Sequence, residues 1–179
     1  MATHDNSILI SILGPDRVGL IAEVAGELYG LGANLADASF AVLGRACEFS
    51  CVAELPAGVG MEEVEESLRR LRSLEEAQIR VSPFPFSGDP GDLADVSHVI
   101  EIDGGDRPGL IARLSEVFMQ FGANVVRMNS RRIVDEDGSG RYVTSFAVSM
   151  PPGRAESCLA AVHNTAGQLN LRCRYRTAG

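Results

Sequence analysis

The spacing of hydrophobic positions changes several times along the chain, and each change marks an element. Ile8-Leu9-Ile10-Ser11-Ile12-Leu13 is short, apolar and β-branched, which predicts a strand with Ile8, Ile10 and Ile12 on one face. Leu20, Ile21, Val24, Leu28 and Leu31 recur at helical spacing and predict one buried stripe. Asp16 stands where the N-cap of that helix belongs, and Gly32 closes it as a residue able to take positive φ. From Leu35 to Val42 the period falls to two, Gly44-Arg45 reads as a tight turn, and Cys47, Phe49, Cys51, Ala53 and Leu55 alternate with polar residues in a third strand. Cys47 and Cys51 therefore share its inward face. After Pro56 and Gly58 the pattern predicts a helix over 61–77 with Val64, Leu68, Leu71 and Leu74 inward. Its acidic start and arginine-rich continuation suit the helix dipole. Gln78 to Ser82 is a short closing strand.

The same succession then recurs. Val99 to Asp103 reads as a strand, and Leu110, Ile111, Leu114, Phe118 and Phe121 as a helix stripe. Residues 124–134 and 141–150 form a hairpin, 154–166 a helix stopped by Gly167, and 169–176 a last strand. In that strand Leu171, Cys173 and Tyr175 alternate with Arg172, Arg174 and Arg176. Gly14-Pro15-Asp16-Arg17-Val18-Gly19-Leu20-Ile21-Ala22 is echoed by Gly104-Gly105-Asp106-Arg107-Pro108-Gly109-Leu110-Ile111-Ala112, and both helices end in Gly-Ala-Asn, at an offset of 90. Pro151 matches Pro56 at an offset of 95, so the second hairpin connection is five residues longer. A β-α-β-β-α-β order used twice predicts an α+β fold of two ferredoxin-like domains, antiparallel sheets with helices on one face. The expected boundaries are 1–82 and 96–179, with a Pro/Gly-rich linker at 83–95 whose Phe84 and Phe86 could anchor it to a domain surface. Domains of this size bury only about 60–65% of their unfolded surface, so docking between copies and a homo-oligomer are expected.

Charge narrows the partners. The net charge of −8 argues against direct nucleic-acid binding, which needs a basic surface. The acids are concentrated in residues 1–89, with 14 against 6 arginines, while residues 90–179 balance 10 against 10. Arg127 and Arg131 share one strand face and Arg172, Arg174 and Arg176 another; these are either solvated edges or a docking surface for an acidic partner. No run approaches the ~20 apolar residues of a membrane helix, and Met1 to Asn6, polar and without a basic or apolar segment, is not expected to be an export signal. Four cysteines without a C-x-x-C pair read as reduced, packed thiols of a cytoplasmic protein, and three scattered histidines offer no metal site. No cofactor is expected. Cys158 and His163, five apart on a helix, point away from one another and make no nucleophile pair. Gly14 and Gly19 have the spacing of a phosphate loop, but Leu20-Ile21 stand where its Lys-Ser/Thr would be.

The repeated turn holds the candidate chemistry. A glycine just inside a helix costs about 1 kcal/mol against alanine. Its presence at both 19 and 109 suggests close approach of something to the backbone. A helix start offers free N–H groups and positive potential, which suit a carboxylate. Asp16 or Asp106 could meet an ammonium group, and Asn34 or Asn124 could supply an amide, a set that fits a zwitterionic amino acid. The bland alternative stays open on physics alone: Asp caps, Gly packs against a strand, and Asn holds a turn.

A strand, then Gly-Pro-Asp-Arg-Val-Gly-Leu-Ile-Ala, a helix and Gly-Ala-Asn-Leu resembles the ACT domain. The chain looks like two tandem ACT domains and is similar to the glycine cleavage system transcriptional repressor group. That resemblance implies a regulator without catalysis that responds to a small amino acid, glycine or serine. It implies indirect control of transcription through a protein partner such as a DNA-binding regulator. Ligands would bind between paired domains at the turns from first strand to first helix. Residue by residue, Asp16, Arg17, Gly19, Leu20 and Asn34 match the motif in the first copy, and Asp106, Arg107, Gly109, Leu110 and Asn124 in the second. Pro15 gives way to Gly105 and Val18 to Pro108, so the two sites are expected to differ in affinity, or one to be vestigial. A ligand-independent adaptor, or a regulatory subunit of an amino-acid metabolic enzyme, is the alternative.

Overall fold

The structure, a computed structural model, describes residues 6–86, 95–105, 107–134 and 140–178. The chain divides into two compact units, Met1–Asp89 and Pro90–Gly179. The first runs β1 (Ser7–Pro15), α1 (Leu20–Gly30), β2 (Asn34–Leu43), β3 (Ala46–Glu54), α2 (Met61–Arg69), a 3₁₀ turn (Arg72–Leu74) and β4 (Gln78–Pro83). Its sheet has the order β2-β3-β1-β4 with every neighbouring pair antiparallel. The alternation of the strands decides what is buried. Ile8, Ile10 and Ile12 of β1 and Cys47, Phe49, Cys51 and Ala53 of β3 form one core with Leu20, Val24 and Leu28 of α1 and Val64 and Leu68 of α2.

The second unit repeats the plan with β5 (His98–Gly104), α3 (Leu110–Gln120), β6 (Asn124–Val134), β7 (Gly140–Ser149), α4 (Ala155–Gln168) and β8 (Arg172–Thr177). The sheet order is β6-β7-β5-β8, again antiparallel throughout. Ile100, Ile102, Phe146 and Val148 meet Leu114 and Phe118 of α3 and Cys158 and Val162 of α4 in a separate core. Phe118 and Phe146 pack edge to face with centroids 5.4 Å apart. The two units are thus the ferredoxin-like βαββαβ folds that the hydrophobic pattern predicts, with both helices on one face of each sheet.

Several details differ from the pattern. The helix expected over 61–77 stops at Arg69, and Leu71 is extended at φ −72°, ψ 129°. A straight helix of that length would run about 25 Å. It has to travel only from the Ser7 end of β1 to Leu13, the partner of Gln78, which is about 20 Å. The break and the tighter 3₁₀ turn absorb the excess while still burying Leu74. Ile21 and Ile111, included in the helix stripes, are half-exposed, because each lies one position beyond the buried Leu20 or Leu110. Gly167 lies inside α4 and is not its stop; Asn170 takes the left-handed backbone there at φ 56°.

Gly32 and Gly122 do close their helices. Ala33 N–H reaches Leu28 O and Gly32 N–H reaches Tyr29 O, both at 2.9 Å, and the second unit repeats these bonds. Phe84 continues the edge of β4 by donating its N–H to Ser7 O, and its ring packs against Phe86.

Candidate functional site

Each unit begins its first helix in the same unusual way. The N-cap of α1 is Gly19 at φ 92°, and that of α3 is Gly109 at φ 81°, with no side-chain cap in either. Asp16 is therefore not the cap. It sits three residues upstream, exposed, with its backbone N–H bonded to Arg45 O at 3.1 Å. A Cβ placed on Gly19 or Gly109 would meet nothing within 4 Å. The glycine is required by its left-handed backbone, which L side chains adopt at a cost, and no other group of the described chain approaches it.

The cap turns the chain so that Leu110 N–H folds back on Arg107 O at 3.1 Å. The following N–H groups, those of Ile111 and Ala112, are among the donors a helix start leaves without an intrahelical partner. They border a cleft of about 240 Å³ floored by the Arg107–Ala112 segment. Ser130 of β6 and Tyr142 and Thr144 of β7 face it from the strands. Ser130 and Thr144 are register partners, and their hydroxyls lie 2.8 Å apart, Thr144 buried and Ser130 exposed. None of these three residues stands in the repeated motif, yet their positions were readable. Tyr142, Thr144, Phe146 and Val148 alternate inward, and Thr144 is the polar member where the first copy, 95 residues earlier, has Phe49.

Arg17 and Arg107 do similar work in the two units. Arg17 Nη1 donates to Arg72 O at 3.1 Å, and Arg107 Nε donates to Leu169 O at 3.1 Å. Each arginine fastens its turn to the segment that leads into the unit's last strand. Arg17 also pairs with Glu76 at 3.5 Å. Among the described residues Arg107 has no carboxylate partner.

Asn34 and Asn124 are not brought to these turns within their own units. Asn34 pairs with Glu54, which also faces Ser7, while the turn follows Pro15 at the other end of β1, about 26 Å away. Its Nδ2 bonds Glu54 Oε2 at 3.3 Å. Asn124 lies opposite Ser149, at the far end of β7 from Tyr142. Leu20 and Leu110 are core residues. Asp106 lies outside the described residues.

All four thiols are free, and burial holds each above its ordinary pKa, Cys51 at about 11. Cys47 Sγ donates to Pro15 O, and beyond burial the Asp16 carboxylate raises it further. No group of three potential metal ligands occurs among the described residues, and no described helix is long and apolar enough to cross a membrane. On the face of the second sheet away from the helices, the two arginine sets come together. Arg127 and Arg131 pair across to Ala147 and Val143, whose β5 partners Val99 and Asp103 pair in turn with Arg176 and Arg172. Asp103 bonds both Arg141, at 3.0 Å, and Arg172, at 2.9 Å.

The element order and sheet order place both units in the ferredoxin-like class. The ACT domain family matches residues 6–82 and again 98–157, so the chain belongs to that family and carries two of its domains. ACT domains are regulatory and generally bind small amino acids. No curated protein matches the chain. Among solved structures, an unknown protein from Galdieria sulphuraria superposes with a TM-score of 0.73 at 18% identity, over 97% of this chain and 99% of that one. A candidate glycine cleavage system transcriptional repressor superposes with a TM-score of 0.64 at 15% identity, over 97% of both chains. At such identities the likeness concerns the fold.

Proposed function

We propose that this protein is a non-enzymatic cytoplasmic regulator that binds a small amino acid, glycine or serine, and passes its occupancy to a protein partner. The observation that carries this reading is the open helix start above a small cleft, with N–H donors of Ile111 and Ala112 at its edge. These groups suit a carboxylate. A cleft of about 240 Å³ falls below the ~300 Å³ where sites for drug-sized ligands begin, which favours a small metabolite. The exposed Asp16 would supply charge for an ammonium group in the first unit, and Asp106, outside the described residues, holds the same place in the sequence of the second. Asn34 and Asn124 would contribute only from a neighbouring domain, in keeping with ligands held between paired domains of a homo-oligomer.

Control of transcription would be indirect. Ligand would favour one arrangement of the paired domains and a DNA-binding regulator would read that arrangement. The net charge of −8 supports a protein partner over nucleic acid. The arginine-bearing sheet face of the second unit favours the adaptor alternative, with an acidic partner docking there irrespective of ligand. Titration calorimetry of the full chain with glycine and L-serine decides between the two. Saturable heat is expected. No heat and no thermal shift with either would refute the sensor reading.

A further inference from the structure

The two copies of the turn are not chemically equivalent, and beyond the exchanges of Pro15 for Gly105 and Val18 for Pro108 in the motif itself, the strands that face them differ. An offset of 90 along β2 and β6, and of 95 along β3 and β7, sets Ser130 against Phe40, Tyr142 against Cys47 and Thr144 against Phe49. The hydroxyl-bearing wall of the second cleft is thus matched in the first unit by two phenylalanines and a buried thiol. Phe49 belongs to the core of that unit. The arginine differs as well. Arg17 has the Glu76 carboxylate 3.5 Å away at the surface, whereas the place of Glu76 relative to the last strand is taken in the second unit by Asn170, and Arg107 has no carboxylate partner among the described residues.

From these contrasts we infer that the second unit alone holds the amino-acid site, and that Ser130, Tyr142 and Thr144 determine which ligand it accepts. The inference rests on the amino-acid reading above. The carboxylate would lie against Arg107 and the free N–H groups of Ile111 and Ala112. The polar remainder of the ligand would reach the Ser130–Thr144 hydroxyl pair and the Tyr142 phenol. A ligand carrying its own hydroxyl has donors and acceptors to match there, which ranks serine above alanine. In the first unit the same carboxylate would compete with Glu76 for Arg17, and the remainder would meet apolar rings that offer no hydrogen bond. The first copy of the turn then serves the fold: its left-handed glycine and its arginine staple remain, and its ligand chemistry has gone.

Calorimetric titration of the full chain with L-serine, L-alanine and glycine tests this. Wild type is expected to bind one L-serine per chain, at least tenfold tighter than L-alanine. Ser130→Phe, which places the first unit's residue at an exposed position of the second, is expected to weaken L-serine binding at least tenfold. Ser130→Ala, which only removes the hydroxyl, is expected to narrow the serine-to-alanine ratio while leaving the melting temperature close to wild type. Phe40→Ser in the first unit is expected to change neither affinity nor stoichiometry. Two equivalent ligands per chain, unchanged binding in Ser130→Phe, or loss of binding in Phe40→Ser would overturn the inference and leave the sensor reading standing. Absence of heat from wild type with all three amino acids would overturn both.

Discussion

Replacing Gly109 with alanine tests the account of the helix start. At φ 81° an L residue occupies the left-handed region, which costs about 1–2 kcal/mol. Nothing lies within 4 Å of the new methyl group, so no collision adds to that. Alanine also restricts the unfolded chain, which returns about 0.4–1 kcal/mol. The net loss is then about 1 kcal/mol, which lowers the melting temperature of a domain this size by about 4–8 °C. Asparagine tolerates the left-handed region better, so Gly109→Asn is expected to lose less. Gly26 is the internal control. It is exposed within α1, has ordinary helical backbone and equally open surroundings, so Gly26→Ala is expected to stabilise by about 0.5–1 kcal/mol. Urea unfolding of the three variants, followed by circular dichroism, gives both signs in one series. A Gly109→Ala that stabilises as Gly26→Ala does would refute the left-handed cap. Equal losses for alanine and asparagine would show that contact and not backbone conformation is responsible.

Two further outcomes follow from the cores and thiols. Phe118→Ala removes a fully buried ring stacked edge to face on Phe146 and is expected to cost about 3–5 kcal/mol. Against a domain stability of about 5–15 kcal/mol, that selectively lowers the unfolding transition of the second unit in calorimetry. Cys51 is held at about 11 against an ordinary 9.0, so above pH 9 the unfolded chain gives up this proton before the folded one does. Its contribution to stability is complete below pH 9 and is lost as pH rises toward 11. Cys51→Ala should flatten the fall in melting temperature across that window, and an unchanged fall would assign it to other groups.

Much of the fold is local and was therefore legible in the chain. Strand alternation and helical stripes depend on near neighbours, and Ile8, Ile10, Ile12, Val24, Leu28, Leu114 and Phe118 are buried as their spacing predicts. The repeat doubled every such signal, and the family motif added the ACT domain. What failed were inferences that needed distances. The pattern of Leu68, Leu71 and Leu74 continues smoothly, but the length of β1 limits how far α2 can run before β4 must begin. Asn34 and Asp16 recur at the same offset, but α1 carries the chain back along the sheet between them, so within one unit they lie at opposite ends of it.

The glycine at 19 and 109 was conspicuous in the sequence, and only the backbone geometry showed that it serves as a left-handed cap. Ser130, Tyr142 and Thr144 lie on strands that the chain reaches 20 to 35 residues after the turn. Their convergence on Arg107 and the α3 start depends on hairpin register and helix packing. The sequence by itself determined two copies of one fold and one turn, because periodicity and repetition are local properties. Only the tertiary structure decided that the copies present different walls to that turn, because a cleft is made by residues distant in sequence whose side chains meet across a sheet and a helix.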